Sequence, residues 1–259
     1  MGTLFRRAAT TARALSQETA ALAEHLLRYP TGIAGESWPL PAPDCDHDAH
    51  RPVLLLHGLF DNQAVFARMR RALAADGYAH VHALNYNPLT VDVRGAAELL
   101  DRHVRHVREV YGGERVAVVG HSLGGLIARY HVQLLGGDES VHTVVTLGAP
   151  HEGTLAARLL RPLPVAGQLL PGSSVLEELR APAAHCRTRF LAFRGDHDAL
   201  ILPNGHGALR HPDLWTENIL VTATGHVALP VHRDVIARIG AALAEAPAGT
   251  AVGIERISA

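Results

Sequence analysis

The stretch VAVVGHSLGG, residues 116–125, decides how the chain folds. Its first four residues are small or β-branched and read as a buried strand. LIARYHVQLL at 126–135 reads as a helix. Between them a serine sits among glycines at a strand-to-helix turn, the G-x-S-x-G pattern of a nucleophile elbow. Such a turn is so tight that Gly120 and Gly124 must carry no Cβ. Its strain lifts Ser122 Oγ clear of the sheet edge. The Leu123 N–H, at the helix start, can then face a developing oxyanion. The rival glycine-rich patterns, G-x-G-x-x-G for dinucleotides and G-K-[ST] for a P-loop, are both missing.

Working outward, further strands are predicted at VLLL (53–56), HVHALNY (80–86), HTVVTL (142–147), RFLAF (189–193) and NILVTA (218–223). Helices alternate with them. One over 63–76 carries Val65, Phe66, Met69 and Leu73 on one face and stops at Gly77. The next, capped by Thr90 or Asp92, carries Val93, Ala97, Leu100, Val104, Val107 and Tyr111. A last helix is expected to open at Pro230. This alternation implies a mostly parallel sheet with helices on both faces. The polar clusters at 57–62, 120–125, 148–154, 195–203 and 224–226 each follow a strand directly. All five loops can therefore meet at the carboxyl end of the sheet, where sites form in such folds.

The 259 residues suit one α/β domain at 51–246, preceded by a helix and loop at 1–50 and followed by a short tail at 247–259. Residues 4–28 repeat Leu4, Ala8, Ala12, Leu15, Thr19, Leu22 and Leu26 at three- or four-residue steps. That stripe is expected to pack on the domain surface, with membrane docking as its rival. The Pro-, Gly- and Asp-rich loop at 30–52 gathers Asp44, Asp46, His47, Asp48 and His50, read as a solvated loop rather than a metal site. Residues 155–188 break the rhythm with leucines and prolines and read as a small helical cap. Net charge is −1, which offers nothing to nucleic acid. No apolar run is long enough for a membrane span. Arg6 and Arg7 are followed by no signal-type apolar core. The expectation is a cytoplasmic protein, or a secreted one whose leader has been removed. Cys45 and Cys186 are either one disulfide or two thiols.

A serine needs a base to take its proton, and the base needs an acid to orient it. In this fold type the order is Ser, Asp/Glu, His. His226, in ATGHVALP after the last predicted strand, fits the base. Asp196 and Asp198, in GDHDALILP, both fit the acid. Asp198 is preferred because ALILP can hold it firmly, while Asp196 can serve the turn. The second oxyanion donor should follow the first core strand, and HGL at 57–59 leaves the Leu59 N–H for it. His57 lies too far upstream to be the base and reads as a loop support.

VLLLHGL, VAVVGHSLGG, GAPHEGT, GDHDALILP and GHVALP resemble the successive motifs of bacterial serine lipases and carboxylesterases of the α/β-hydrolase superfamily, over residues 51–240. The resemblance implies an α/β-hydrolase fold. It implies Ser122 as nucleophile, Asp198 as acid, His226 as base, and Leu59 and Leu123 as oxyanion donors. GAPHEGT is similar to a segment of true lipases, so lipid-like esters are expected ahead of small polar ones. Leu155, Leu159 and Leu163 would border the acyl chain. The 155–188 insertion is short for a large lid. No cofactor and no metal are expected. The expected partner is a small-molecule acyl ester, with transient lipid-surface contact. An acyl-thioesterase or acyltransferase would use the same triad. A non-catalytic binding protein on this scaffold would not need it.

Overall fold

Val53 and Leu55 pack into one hydrophobic core, and Leu54 and Leu56 into another. Successive side chains of a strand point to opposite faces, so a strand buried on both sides must be apolar throughout. VLLL is such a strand, β1 (Val53–Leu56). The chain, a computed structural model, is described over residues 2–33, 51–87, 92–161, 163–245 and 253–257. Among these residues β1 belongs to a seven-stranded sheet with β2 (Val81–Leu84), β3 (Val116–His121), β4 (Val141–Leu147), β5 (Arg189–Gly195), β6 (Trp215–Val221) and β7 (Gly253–Ile257). The spatial order is β2-β1-β3-β4-β5-β6-β7, and every pairing is parallel.

Helices α3 (Val93–Val110) and α4 (Leu123–Leu134) cover one face. Leu100, Val104 and Ile127 pack there on Leu54, Val118 and Phe190. Helices α2 (Ala67–Ala75) and α6 (Arg233–Ala244) cover the other, where Met69, Leu73 and Ile239 meet Leu55, Val119 and Phe193. Asp92 caps α3, its Oδ1 accepting the Gly95 N–H at 2.8 Å. Thr90, the other candidate, lies outside the described residues.

Several boundaries differ from expectation. The 63–76 segment divides into a 3₁₀ turn (Gln63–Phe66) and α2, because Asn62 accepts the Ala64 N–H and tightens the first turn. Pro230 belongs to another 3₁₀ turn (Leu229–Val231), so α6 opens only at Arg233. β6 starts three residues before NILVTA, at Trp215. The patternless tail contains β7, whose Gly253–Ile257 backbone runs alongside Glu217–Val221 of β6. The cap at 155–188 consists of 3₁₀ turns (Leu155–Leu160, Pro164–Leu169) and one short helix, α5 (Ser174–Glu178). The acidic loop from Asp44 to His50, and Cys45 with it, lie outside the described residues. Cys186 is a buried thiol.

The N-terminal helix, α1 (Gly2–Arg28), packs on the domain, while Leu15, Leu22, Leu26 and Leu27 stay exposed. Ala14 and Ala21 are 3% and 5% exposed, whereas Leu15 and Leu26 are 68% and 63% exposed. The docked face is 14, 18, 21 and 25, one helical position away from the leucine stripe. Two alanines let the helix approach closely. Glu18 and His25 then reach polar partners in the loops after β6 and β1.

Candidate active site

Ser122 adopts φ 53 and ψ −119, a backbone state that L residues rarely occupy. The surrounding glycines make it possible. A Cβ on Gly120 would stand 2.4 Å from Gly125 N, and one on Gly124 would stand 2.4 Å from Leu56 O. Neither backbone atom can give way, so α4 can cross β1 and β3 at this distance only with glycine at both positions. The Ser122 N–H donates to Leu147 O at 2.8 Å, tying the elbow to β4. Leu123 is the first residue of α4. Its N–H belongs to the opening turn, where amides have no acceptor within the helix.

The loop after β1 lies against the elbow. A Cβ on Gly58 would meet Ser122 Cβ at 3.2 Å, and Leu59 follows it immediately. His57 is stacked on Tyr86, ring centroids 4.5 Å apart. Its Nδ1–H donates to Gly58 O at 2.8 Å, and its carbonyl accepts the Tyr86 hydroxyl at 2.7 Å. Burial lowers its pKa, outweighing the Gly58 hydrogen bond and the Asp61 charge, so the ring is a neutral brace for the loop.

Asp198 and His226 come from neighbouring loops after β5 and β6. His226 Nδ1–H donates to Asp198 Oδ2 at 2.7 Å, and both residues are buried. The other oxygen, Oδ1, accepts the N–H groups of Leu200 (2.9 Å) and Ile201 (3.0 Å). The ALILP segment thus holds the carboxylate through its backbone. Burial raises the Asp198 pKa, but the His226 charge and three hydrogen bonds outweigh it and hold it below the usual range. Burial likewise lowers His226. The Asp198 charge and hydrogen bond, then Glu18 and Asp61, more than reverse this and raise it. Asp196 faces away: its Oδ1 accepts His197 Nδ1–H at 2.7 Å and the Thr224 N–H at 3.3 Å, holding the turn.

Three further residues support the site without a signal strong enough to mark them in the sequence. Gly148 (φ 59) opens GAPHEGT, and a Cβ there would lie 2.9 Å from His226 Nδ1. Asp61 joins two histidines, His25 at 2.9 Å and His121 at 3.1 Å. Burial pushes its pKa up, yet the two hydrogen bonds and charges hold it far below the ordinary carboxylate range. Arg129 is buried in α4 and donates to the carbonyls of His151 (3.2 Å) and Leu179 (2.8 Å), tying GAPHEGT to the cap. Burial lowers its pKa to about 9.

Ser122 and His226 open on one apolar cavity of about 530 Å³. Of the three leucines expected along an acyl chain, Leu159 lines it. Leu163 instead packs partly buried on the α3/α4 core, because the turn that follows buries Val165, Ala166 and Leu169. Leu155 is 39% exposed and does not border the cavity, which Leu160 and Leu169 line together with Ala156 and Ala157. The opposite wall comes from Leu22 and Leu26 of α1. Among the described residues no group of three His, Cys, Asp or Glu is placed to hold a metal ion. None of the described helices is long and apolar enough to cross a membrane.

A doubly wound parallel sheet with a serine elbow after β3, a carboxylate after β5 and a histidine after β6 defines an α/β-hydrolase. Residues 52–185, just over half of the 259, match the family described as palmitoyl protein thioesterase, and the chain belongs to that family. It is also 31% identical to a triacylglycerol lipase of Pseudomonas fragi over 151 residues, 55% of this chain and 46% of the lipase. With a Vibrio cholerae serotype O1 triacylglycerol lipase it shares 29% over 133 residues, 49% of this chain and 39% of that one. The chain thus spans less than half the length of these curated relatives. The mature form of a Bacillus licheniformis lipase superposes with TM-score 0.61 at 17% identity, over 81% of this chain and 96% of that one. Aspergillus fumigatus lipase B superposes with TM-score 0.65 at 15% identity, over 84% and 63%. At such identities the likeness is one of fold.

Proposed function

We propose that the protein is a serine hydrolase that cleaves carboxylic esters of lipid-like acyl groups through an acyl-serine intermediate. The observation that carries this reading is that a strained serine and the histidine of a buried Asp198–His226 pair open on one apolar cavity. His226 takes the Ser122 proton while Oγ attacks the ester carbonyl. The Leu59 and Leu123 amides hold the oxyanion, and Asp198 stabilises the imidazolium. His226 then gives its proton to the leaving alcohol. Water repeats the sequence on the acyl-enzyme and frees the acid.

The cavity's composition supports an alkyl chain, since each buried CH₂ offers about 0.8 kcal/mol. Exposed Leu22, Leu26, Phe60, Leu159 and Leu200 at its rim suit an ester presented at a lipid surface. The family match favours a second reading, an acyl thioester as substrate, with the same residues and a thiol as leaving group.

The test is a chain-length series of p-nitrophenyl esters beside the matching acyl-coenzyme A thioesters. Turnover is expected to rise from acetyl toward medium chains. Ser122→Ala should lose on the order of 10⁴-fold or more in kcat, keep its melting temperature, and resist a fluorophosphonate that labels the parent. Equal turnover by variant and parent would remove the assignment. Consistently faster thioester cleavage would select the second reading.

A further inference from the structure

The N-terminal helix grips the loop of the base from beneath. Glu18 Oε1 accepts the Val227 N–H at 2.8 Å, and Oε2 accepts the Ala228 N–H at 3.0 Å. These are the two amides directly after His226. The residue before it is Gly225, where a Cβ would lie 2.4 Å from Glu18 Oε2. The carboxylate is therefore seated against the loop, with no space between for a side chain. A half-buried acid with two backbone donors at these distances makes charge-assisted hydrogen bonds, stronger than neutral ones.

Two helical turns along the same face, His25 reaches the loop by a second route. His25 Nε2 lies 2.9 Å from Asp61 Oδ1, and Asp61 Oδ2 lies 3.1 Å from His121 Nδ1. His121 Nε2–H donates in turn to the His226 carbonyl at 3.2 Å. One helix thus holds the base loop at its amides and, through Asp61 and His121, at its carbonyl. Both α1 and His226 lie outside the 52–185 segment that matches the family.

We propose that Glu18 is a positioning residue for the base, fixing the His226 loop so that the imidazole meets both Asp198 and Ser122. The inference rests on the serine-hydrolase reading. Glu18 touches neither substrate nor the reacting atoms; it acts through the backbone of 227 and 228. The charged and titratable groups that bear on His226 come from four elements: Asp198 after β5, Asp61 after β1, His121 at the elbow, and Glu18 from α1. Only Glu18 is not anchored in the sheet. Its negative charge adds to that of Asp198 in favouring the imidazolium.

The variant is Glu18→Gln, which keeps the shape, removes the charge and leaves one of the two amides without an acceptor. The control is Glu24→Gln, on the same helix but bonded to Arg28 and Arg68. Rates are expressed per serine titratable by fluorophosphonate, so misfolded enzyme does not count. Glu18→Gln is expected to lower kcat about 10- to 100-fold and move the acid limb of kcat/KM to lower pH. Glu24→Gln should leave both unchanged and shift only the melting temperature. Unchanged kcat and limb in Glu18→Gln would overturn the proposal, as would equal losses in the two variants with the limb unmoved. A parent that neither reacts with fluorophosphonate nor cleaves an ester would instead fell the hydrolase reading. In that event the His226 ring titration by proton NMR, assigned by its loss in His226→Gln, decides for Glu18. A lower midpoint in Glu18→Gln supports the contact, and an unmoved midpoint overturns it.

Discussion

The elbow helix and the N-terminal helix are built on opposite terms. In α4 almost every side chain is buried, glycines included, and at Gly124 the backbone oxygens of Leu56 and His57 lie only 2.4 and 2.7 Å from an added Cβ. In α1 Leu15 and Leu27 face outward, Leu22 and Leu26 border the cavity, and alanine, glutamate and histidine grip the protein. Both show apolar residues at helical spacing. The difference teaches that periodicity announces a face without saying what it meets. A helix inserted between strands has one way to satisfy its neighbours. A helix laid over a catalytic edge divides its surface between gripping loops and walling a cavity.

The largest effect should break the interior half of the comparison. Asp198→Asn keeps the shape but invites the wrong histidine tautomer, a loss of about 10⁴-fold in the serine-protease example. Asp196→Asn should lose less than tenfold in kcat and show a lower melting temperature, since its carboxylate holds only the turn at His197 and Thr224. Steady-state kinetics of the two variants, beside thermal melts, check this. A crippled Asp196→Asn with a healthy Asp198→Asn would transfer the acid role.

Next comes Gly148→Ala. Its Cβ would press on His226 Nδ1 at 2.9 Å in a left-handed backbone. Overpacking of this kind costs about 1–3 kcal/mol, a drop of roughly 2–12 °C in melting temperature at this chain size. A kcat loss of about 10-fold or more should accompany it. Gly113→Ala is the counterpart: φ is 84, but nothing lies within 4 Å of its Cβ. It should melt slightly earlier with kcat unchanged. Equal kcat losses in the two would show that strain, not crowding of the base, is what matters.

Much of the interior was legible because its reasons are local. A strand buried on both faces must read as an apolar run, and VLLL and VAVV do. The glycines of GHSLGG announce a backbone crossing. The candidate acid narrows to two positions by its place after β5, and the firm ALILP segment favours Asp198, whose Oδ1 accepts the Leu200 and Ile201 N–H groups. Other parts depend on distant partners. Gly148 matters only because His226, 78 positions later, packs against it. The docking face of α1 is invisible without the loops at 61 and 227–228, which turn Glu18 and His25 into inward-facing residues. β7 could not be read because its pairing with β6 is made by backbone, not pattern. Leu163 was misread because the turn after it faces inward, which the leucine count alone does not reveal.

The pH profile comes third. In the proposed mechanism His226 must be neutral to accept the Ser122 proton; burial lowers its pKa, but Asp198 first, then Glu18 and Asp61, raise it above the ordinary value of 6.5. The kcat/KM should therefore fall about tenfold per pH unit below that raised value, with its limb above about 6.5. A profile from pH 5 to 9 on a soluble ester checks it. A limb well below 6.5 would mean that burial outweighs the carboxylates.

The smallest effect belongs to the leucines of α1, and it divides the helix from itself. Leu22 and Leu26 line the cavity; Leu15 and Leu27 are exposed but lie away from it. Truncating either pair to alanine removes a similar amount of apolar surface from the same helix. Only the first pair can touch an acyl chain. Leu22→Ala/Leu26→Ala should raise KM for an octanoyl or decanoyl ester about 4- to 15-fold, the equivalent of one or two CH₂ groups at about 0.8 kcal/mol each. The acetyl ester, too short to reach α1, should keep its KM, and kcat should hold because Glu18 and His25 still dock the helix. Leu15→Ala/Leu27→Ala should leave both monomeric esters unchanged. Equal losses on acetyl and decanoyl esters would make Leu22 and Leu26 supports of the fold rather than walls of the pocket. Equal losses in both pairs would mean that α1 contributes hydrophobicity without position, and its likeness to an exposed amphipathic helix would outweigh its likeness to the elbow helix.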